Sequence, residues 1–211
     1  MYLPPHFRVD DLARQHALIR ARPLGLLITC ADGALAADPV PFLLDAAAGP
    51  RGVLRAHLAR ANPQVARLQA APECLVVFND VEAYVSPDYY ASKREHGRVV
   101  PTWNYATVQA QGVARVVDDP AFLRAQIEAL TQTHERGRSA PWAVSDAPEA
   151  FVAAQMRAIV GIEIEIHALE GKWKVSQNRP AEDRAGVVEG LRAEGGETGA
   201  RMAALVAGPT D

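Results

Sequence analysis

The sequence has little cysteine and no long hydrophobic run, and these two absences narrow the class of protein. Only two of its 211 residues are Cys, and no apolar run reaches the roughly 18 residues that a membrane-spanning helix needs. The N-terminus, "MYLPPHFRVDDLARQH", lacks the basic start, apolar stretch and small-residue cleavage site of a secretion signal. We therefore expect a soluble, cytoplasmic protein with no membrane segment.

The two cysteines are expected to be structural. Cys30 ends the apolar run "LGLLITC", and Cys74 lies in "ECLVVF". Cysteine in such runs most often behaves as a small buried hydrophobic residue, and disulfides are rare in the cytoplasm. We predict that both side chains are buried, and we favour this over a disulfide or a reactive thiol.

The sequence also lacks the charge pattern of a nucleic-acid-binding protein. It carries 22 Lys and Arg against 25 Asp and Glu, for a formal net charge of -3. Its basic residues are scattered and form no stripe, and we find no helix-turn-helix pattern. Direct binding to nucleic acid is therefore not favoured by the sequence.

The common motifs of cofactor, metal and hydrolase sites are missing. No Gly-x-Gly-x-x-Gly follows a strand, and the nearest approach to a P-loop, "EGKWK", has the wrong neighbours. "HERGR" lacks a second His four residues on, and no Cys-x-x-Cys pair or Gly-x-Ser-x-Gly elbow occurs. Rossmann, P-loop, metal-site and serine-hydrolase interpretations therefore have no local support.

The chain instead reads as a series of short strands joined mainly by hairpins. The expected strands are "LGLLITC", "ALAADPVPFLL", "GVLRAH", "ECLVVF", "AYVSP", "VQAQGVARVV" and the alternating "GIEIEIHALEG". Pro39 and Pro41 predict an edge or a bulge in the second of these. The early strands leave no room for helical crossovers, so the pattern favours a small antiparallel barrel trimmed with helices.

Helix starts are marked by capping residues. Asp10 or Asp11 precedes a helix that Pro23 ends, Asn62-Pro63 opens a short helix, and Asp118 or Asp119 starts one that runs to about Arg136. A further helix follows "SDAP", and the chain is helical again towards Ala207. We divide it into a main domain of residues 1–180 and a C-terminal helical extension of residues 181–211 packed on the barrel.

The first segment with functional side chains is "AHLARANPQ", where a strand ends and a helix begins. A helix start offers free N–H groups, and an Arg beside it adds a charge, so His57, Arg60 and Asn62 suit a phosphate. The alternative is structural: Asn62 only caps the helix, Arg60 is a solvated charge and His57 is packed.

The second segment is the long connection from Ala83 to Tyr105, which is rich in hydroxyl, basic and aromatic side chains. Long ordered loops are often functional, and such side chains could hold a flat, phosphorylated, heteroaromatic ligand. The alternative is that the aromatic residues plug a barrel end or form a subunit contact.

A third segment, "EGKWKVSQN", alternates along a strand. Trp173 and Val175 are expected on one face, with Lys174 and Ser176 together on the other. Lys174 and Ser176 could therefore meet one ligand or a partner chain, although a Trp on a strand is more often part of the core.

These segments together resemble a known family. "MYLPPHF", "AHLARANPQ", "AYVSPDYYASK", "VPTWNY", "IVGIEIEI" and "GKWKVSQN" occur in the order seen in PaiB-type proteins. Those proteins belong to the FMN-binding split-barrel superfamily, together with pyridoxamine-phosphate oxidases and small flavin reductases. The resemblance runs from Met1 to about Arg184.

The resemblance implies a mainly β, α+β fold: a six-stranded antiparallel split β-barrel with flanking and C-terminal helices. It implies a homodimer that binds FMN where the subunits meet. By matched motif, the implied cofactor-binding residues are His57, Arg60, Asn62, Ser86, Lys93, Thr102, Trp103, Asn104, Lys174, Ser176 and Gln177. The last three would reach the groove from the partner subunit, and no metal is implied.

The resemblance leaves two functions open. One is a flavin-dependent oxidoreductase or flavin reductase, with no catalytic residue assigned. The other is a PaiB-like negative regulator of transcription without enzymatic activity. The chain also departs from the family pattern, because Asp38-Pro39 stands where relatives tend to have Thr-His. An acid beside an anion site disfavours a dianionic phosphate, so a barrel without FMN is a third alternative.

Overall fold

The computed structural model describes residues 1–208, which divide into two compact units. The sheet unit comprises residues 19–78 and 109–169. The terminal unit comprises residues 1–18, residues 79–108 and the chain from residue 170 onward. Each unit has its own buried side chains and is described by itself.

The structure contains helices and strands in the regions where the sequence predicts them, but it has more strands than expected. The helices are α1 (Leu12–Ala21), α2 (Pro63–Ala70), α3 (Ala91–His96), α4 (Pro120–Glu135), α5 (Glu149–Arg157), α6 (Ala181–Glu194) and α7 (Gly196–Ala207). The strands are β1 (Arg8–Val9), β2 (Leu24–Ala31), β3 (Ala34–Pro41), β4 (Leu43–Asp45), β5 (Val53–Ala59), β6 (Glu73–Val85), β7 (Thr102–Val117) and β8 (Ile159–Lys174). The predicted α+β class with an antiparallel sheet is confirmed.

The sheet unit is built on a hairpin followed by longer pairings. The strand order in the chain is β3-β2-β6-β7-β8-β5-β4. Within the sheet unit, the β2–β3, β2–β6, β4–β5 and β5–β8 pairs are antiparallel. The predicted "ADG" turn joins β2 to β3, with Asp32 and Gly33 at φ of 51° and 73°. Strand β3 lies at the edge, where Pro39 and Pro41 have, among the strands of residues 1–208, no outer neighbour that needs their missing N–H groups. The edge prediction is confirmed.

The alternation of inward and outward side chains along β2 shows that the prediction is wrong for one of the two cysteines. Both thiols are unpaired, but Cys30 is exposed while Cys74 is buried. Side chains alternate along β2, and the inward position goes to Thr29, whose hydroxyl donates to Gln64 Oε1 at 2.6 Å. Cys30 therefore points outward, and the prediction of burial is wrong for this residue. Burial raises the pKa of Cys74 to about 12, with a smaller contribution from Glu73.

The alternating strand and the helix caps agree with the sequence. Ile162, Ile164 and Ile166 are buried in β8, which pairs with β5 so that Ile162 lies opposite Ala56. The Asn62 side chain accepts a hydrogen bond from Gln64 N at 2.8 Å and starts α2. Similar bonds to Asp11 and Asp119 start α1 and α4. These local predictions are confirmed.

Two predicted boundaries are wrong. "ECLVVF" and "AYVSP" form one strand, β6, because Asn79 and Asp80 continue the extended backbone instead of breaking it. Strand β7 begins at Thr102, so Trp103, Asn104 and Tyr105 lie in a strand and not in the preceding loop. The connection between the two strands is residues 86–101, and it contains a 3-10 turn (Pro87–Tyr89) and α3.

The terminal unit packs α6 and α7 around small residues. Helix α6 begins at Ala181, the expected start of the C-terminal extension, and α7 follows directly after Gly195. A Cβ on Gly186 would lie 2.0 Å from Tyr89 O, so α6 needs glycine where it meets the 86–101 connection. The division at residue 180 stays a prediction, and the last three residues of the extension lie outside the described residues.

Two negative findings apply to residues 1–208. None of their helices combines the length and the apolar character that a membrane crossing requires. Within the same range, no three His, Cys, Asp or Glu side chains are gathered in a way that could hold a metal ion.

Candidate functional site

The predicted site residues fall into two groups, one in each unit. The β5–α2 group in the sheet unit contains His57, Arg60 and Asn62. The terminal unit contains the other eight: Ser86, Lys93, Thr102, Trp103, Asn104, Lys174, Ser176 and Gln177. The partners of each group show which side chains are available for a ligand.

Arg60 has a partner for every part of its guanidinium. Nη1 and Nη2 each donate to Asp118, both at 2.7 Å, while Nε donates to Arg157 O and Nη2 also to Ile159 O. This pairing raises the pKa of Arg60 and lowers that of Asp118. The side chain is 45% exposed, so a ligand can reach it but has to share it with Asp118.

Asn62 lies next to the carboxylate of Asp38, the residue that departs from the family pattern. Its Oδ1 caps α2, and its Nδ2 donates to Asp38 Oδ2 at 3.3 Å. Both polar atoms of the amide are therefore in use. An anion at this helix start would meet the Asp38 carboxylate.

His57 is half-buried on the face of β5 opposite the buried Leu54, Ala56 and Leu58, and it faces α4. Its Nδ1 lies 2.7 Å from Oε1 of the buried Gln126 on α4. Arg55, two residues earlier, lies on the same face of β5. The three side chains of the β5–α2 group thus turn to different partners: Arg60 to Asp118, Asn62 to Asp38 and His57 to α4.

Ser86 and Lys93 are engaged with their own loop. The Ser86 hydroxyl accepts from Asp88 N at 3.2 Å and caps a 3-10 turn. Lys93 Nζ is paired with Asp88 on the surface. Both residues keep their loop in shape, and their cofactor roles stay predictions.

The remaining residues of the terminal unit form a small basic pocket, which we call the Lys174 pocket. It is lined by Thr102, Asn104, Lys174, Ser176, Asn178 and Arg179, and its volume is about 50 Å³. Lys174 Nζ donates to Thr102 Oγ1 at 2.5 Å and to Trp103 O. Because Thr102 and Asn104 are two residues apart on β7, their side chains share the face that meets Lys174.

The floor of the Lys174 pocket is a buried polar pair. Asn104 and Ser176 are almost fully buried, and Asn104 Nδ2 lies 2.9 Å from Ser176 Oγ. Ser176 has a φ of 63°, a left-handed conformation that few residues other than glycine adopt. The chain thus holds a serine in an unfavourable backbone conformation at the pocket.

The charged side chains in and near the Lys174 pocket are all positive. Burial lowers the pKa of Lys174 first, and the nearby charges of Lys172 and Arg179 lower it further. Lys172 donates to Tyr2 O at 3.0 Å, and its Nζ lies 5.3 Å from the centre of the Tyr105 ring. In the described chain, no carboxylate pairs with Lys174. Such a pocket can attract an anionic or electron-rich group.

Two predicted residues point away from the Lys174 pocket. The Trp103 side chain is 52% exposed and meets Tyr84 edge to face, with ring centres 6.0 Å apart, so only its backbone oxygen reaches Lys174. The Gln177 side chain turns back to the backbone of Val175 and Trp173. Conversely, Asn178 and Arg179 line the pocket although the sequence prediction left them out. Asn178 is the last residue of the "GKWKVSQN" stretch and Arg179 follows it, and this position was the signal for both.

Comparison with known proteins supports the resemblance. The family model described as "Putative FMN-binding domain" matches residues 1–168. An uncharacterized protein of Emericella nidulans (AN0679) is 36% identical, covering 98% of this chain and 96% of its own. "Protease synthase and sporulation protein PAI 2" of Bacillus subtilis is 27% identical over the same shares of the two chains.

Solved structures with low sequence identity have the same fold. A conserved hypothetical protein of Mycobacterium tuberculosis, Rv2991, matches with a TM-score of 0.60 at 14% identity, over 85% of this chain and 94% of that one. The flavocytochrome Anf3 of Azotobacter vinelandii matches with a TM-score of 0.59 at 15% identity, over 85% and 75%. The chain therefore belongs to the PaiB-type proteins of the FMN-binding split-barrel superfamily.

Proposed function

We propose that this protein binds FMN and that the Lys174 pocket holds an electron-rich part of the flavin. The observation that supports this is a desolvated ammonium that lacks a carboxylate partner among the described residues. FMN offers two suitable groups: its phosphate and the N1–C2=O edge of its ring, which gains negative charge on reduction. Either would be stabilised by Lys174 and Arg179.

The size of the Lys174 pocket limits which part of FMN enters it. Its volume of about 50 Å³ is well below the roughly 300–1,000 Å³ of typical ligand pockets, so the pocket accepts one small group and not a whole ring system. Asn104 and Ser176 can hydrogen-bond that group from below. The pocket is therefore an anchoring point for one edge of the cofactor.

The rest of the flavin needs an apolar surface, which the exposed pair of Tyr84 and Trp103 offers. Aromatic faces at half-exposed positions are also favoured in subunit interfaces. We infer a homodimer in the cytoplasm, in which a second copy covers such surfaces and helps to bury the cofactor. The phosphate-binding role of His57, Arg60 and Asn62 stays a prediction, since Asp118 and Asp38 compete for two of these side chains.

The activity that we propose for the FMN-bound protein is flavin-dependent redox chemistry on a small molecule. Bound FMN would supply electron transfer between a donor such as a nicotinamide cofactor and that molecule. The chain's own contribution would be to bind the flavin, to exclude water from its edge and to stabilise negative charge through Lys174. The alternative role, regulation of transcription, shares the flavin site only if FMN acts there as a signal.

Absorbance spectroscopy of freshly purified protein tests the proposal. We expect flavin bands near ~370 and ~450 nm, either at once or after addition of FMN, and bleaching of the bands by NADH or NADPH. Mass spectrometry of the released ligand should identify FMN. Protein that remains colourless after FMN is added contradicts the proposal. If that protein shifts DNA with a salt-dependent affinity, the regulator is favoured.

A further inference from the structure

An open groove, which we call the α4–α5 groove, lies in the sheet unit between helices α4 and α5. Its volume is about 490 Å³, within the roughly 300–1,000 Å³ of typical ligand pockets. Its apolar lining consists of Pro120, Ala121, Leu123, Ala153 and Met156. The groove is therefore large enough for a small organic molecule and can cover an apolar body.

Ion pairs mark the two ends of this groove. At the start of α5, Glu149 accepts hydrogen bonds from Nη1 and Nη2 of Arg124 at 3.3 and 3.1 Å. At the end of α5, Arg60 donates to Asp118 and to Arg157 O. The helix rises by about 12 Å between residues 149 and 157. Because this exceeds the Debye length of about 8 Å at physiological salt, the charges at each end act largely on their own.

The charges at the end of α5 do not balance. Arg60 and Asp118 neutralise each other, whereas Arg157 is an exposed residue in the last turn of α5 that also lines the groove. Within residues 1–208, no carboxylate pairs with the Arg157 side chain. The nearby Asp119 carboxylate accepts from backbone N–H groups in the first turn of α4. One unpaired positive charge thus remains at this end, and it favours a monoanion.

The end near the start of α5 has the opposite balance. Arg124 Nε donates to Glu128 Oε1 at 2.6 Å, and the same guanidinium donates to Glu149, so two carboxylates share one cation. A further anion is disfavoured there. An elongated ligand would therefore place its anionic group near Arg157 and its apolar body against Ala153, one turn earlier on α5.

We propose that the α4–α5 groove binds a small monocarboxylate with an apolar body, and that Arg157 pairs with the carboxylate. The planar guanidinium offers a pair of N–H donors that matches a carboxylate, and the apolar lining buries the body of the ligand. Among the described residues of the groove, Arg60 also belongs to the predicted cofactor site, but none lines the Lys174 pocket. The proposal therefore does not depend on FMN.

Three matched probes test the groove in the full chain. Hydrocinnamate carries a carboxylate on an aromatic body, hydrocinnamamide has nearly the same shape without the charge, and propanoate has the charge without the ring. We expect hydrocinnamate to shift the backbone NMR signals of residues 121–124 and 153–157. It should bind about fivefold more tightly than the amide at low salt, and the preference should shrink at high salt. Propanoate should bind more weakly than either because it buries little apolar surface.

Three outcomes with these probes overturn the proposal. Equal affinity for hydrocinnamate and its amide removes the role of the unpaired charge. Equal affinity for hydrocinnamate and propanoate removes the role of the apolar lining. Signals of the groove residues that do not move with any probe remove the site itself.

A pair of arginine variants tests the charge. Arg157→Gln should lower the affinity for hydrocinnamate to that for the amide and leave binding of the amide unchanged. Arg20→Gln makes the same change in the last turn of α1, away from the groove residues, and should alter neither affinity. An undiminished preference for hydrocinnamate in Arg157→Gln contradicts the assigned ion pair.

A pair of alanine variants tests the groove. Ala153→Trp fills it from α5 and should abolish binding of hydrocinnamate and of its amide. Ala154→Trp adds the same side chain at the next position, which is exposed and does not line the groove, and should leave both affinities unchanged. If Ala153→Trp does not fold, the probes and Arg157→Gln still decide. Unchanged binding in folded Ala153→Trp places the probes elsewhere and contradicts the site.

Discussion

The β5–α2 group and the Lys174 pocket both present a cation to a possible anion, but they treat its charge in opposite ways. Arg60 is half-exposed and neutralised by Asp118, and Asp38 adds a further acid beside Asn62. Lys174 is half-buried beside Lys172 and Arg179, and its hydrogen-bond partners are neutral. The first group has already satisfied its charges within the chain, while the second has not.

This difference in charge pairing shows that a sequence motif can overestimate how strongly a group of residues binds an anion. A motif such as "AHLARANPQ" records residue types, but the value of a cation for binding depends on its solvation and on its other partners. A desolvated and unpaired ammonium gains most from an incoming anion. The Lys174 pocket should therefore dominate flavin affinity, and the β5–α2 group should contribute less than its motif suggests.

Loss of the Lys174 charge should have the largest effect. Lys174→Met removes a charged donor from a partly buried site, and we expect FMN affinity to fall about 10- to 100-fold. Fluorescence quenching of FMN on titration with protein measures this. Arg60→Met should cost much less, and Arg138→Met, a surface change outside both groups, should cost nothing. A larger loss in Arg60→Met than in Lys174→Met would reverse the comparison.

The pH dependence of FMN binding should follow Lys174. Its pKa is lowered in the folded protein, so the ammonium loses its proton at a lower pH than a free lysine. FMN affinity should fall as the pH rises through this lowered pKa, towards the affinity of Lys174→Met. Lys174→Arg keeps its charge throughout, and comparison with it corrects for titration of FMN itself. Identical pH profiles for Lys174→Arg and the native protein would exclude the ammonium as the cause.

Removal of an acid tests whether the β5–α2 group touches the phosphate. Asp38→Asn keeps an acceptor near Asn62 and removes the negative charge, so FMN affinity should rise about two- to fivefold at low salt and less at high salt. Asp32→Asn makes the same change at the turn of the same hairpin and serves as the control. If both variants bind FMN like the native protein, the phosphate lies elsewhere.

The smallest expected effect is on stability. Removal of Lys174 and removal of Arg60 should change the melting temperature in opposite directions. A lysine with a lowered folded pKa destabilises the fold below that pKa, and this cost disappears as the pH rises towards the unfolded pKa. Lys174→Met without ligand should therefore raise the melting temperature at pH 7 by about 1–2 °C, and leave it unchanged at high pH. Arg60→Met should lower it slightly because Asp118 loses its partner. Melting curves of the FMN-free variants show whether the signs are opposite.

Features that depend on neighbouring residues were the most predictable from the sequence. The Asn62 cap, the hairpin turn at Asp32 and Gly33, and the alternation of Ile162 and Ile164 each follow from local rules. The contact of Arg60 with Asp118, which is 58 residues further along the chain, follows from none of them. Nor does a short apolar run say which of its alternate residues faces inward, which is why Cys30 was misplaced.

Within the site, the sequence predicted that Lys174 and Ser176 lie together, and both line the pocket. Strand alternation is not the reason, because β8 ends at Lys174 and Ser176 has a left-handed backbone. The same rule applied to β7 would have separated Trp103 from Thr102 and Asn104, but the prediction put these residues in a loop and lost the alternation. An error in an element boundary thus became an error in side-chain direction.

The left-handed backbone of Ser176 has a consequence for anyone who engineers this protein. Replacement by glycine would relieve the conformation and is the kind of change that stability design selects. It would also delete the hydroxyl that Asn104 contacts on the pocket floor. A library of variants that is selected for thermal stability alone would therefore favour a change at this position that lowers ligand affinity. Such a library should be screened for both stability and ligand binding.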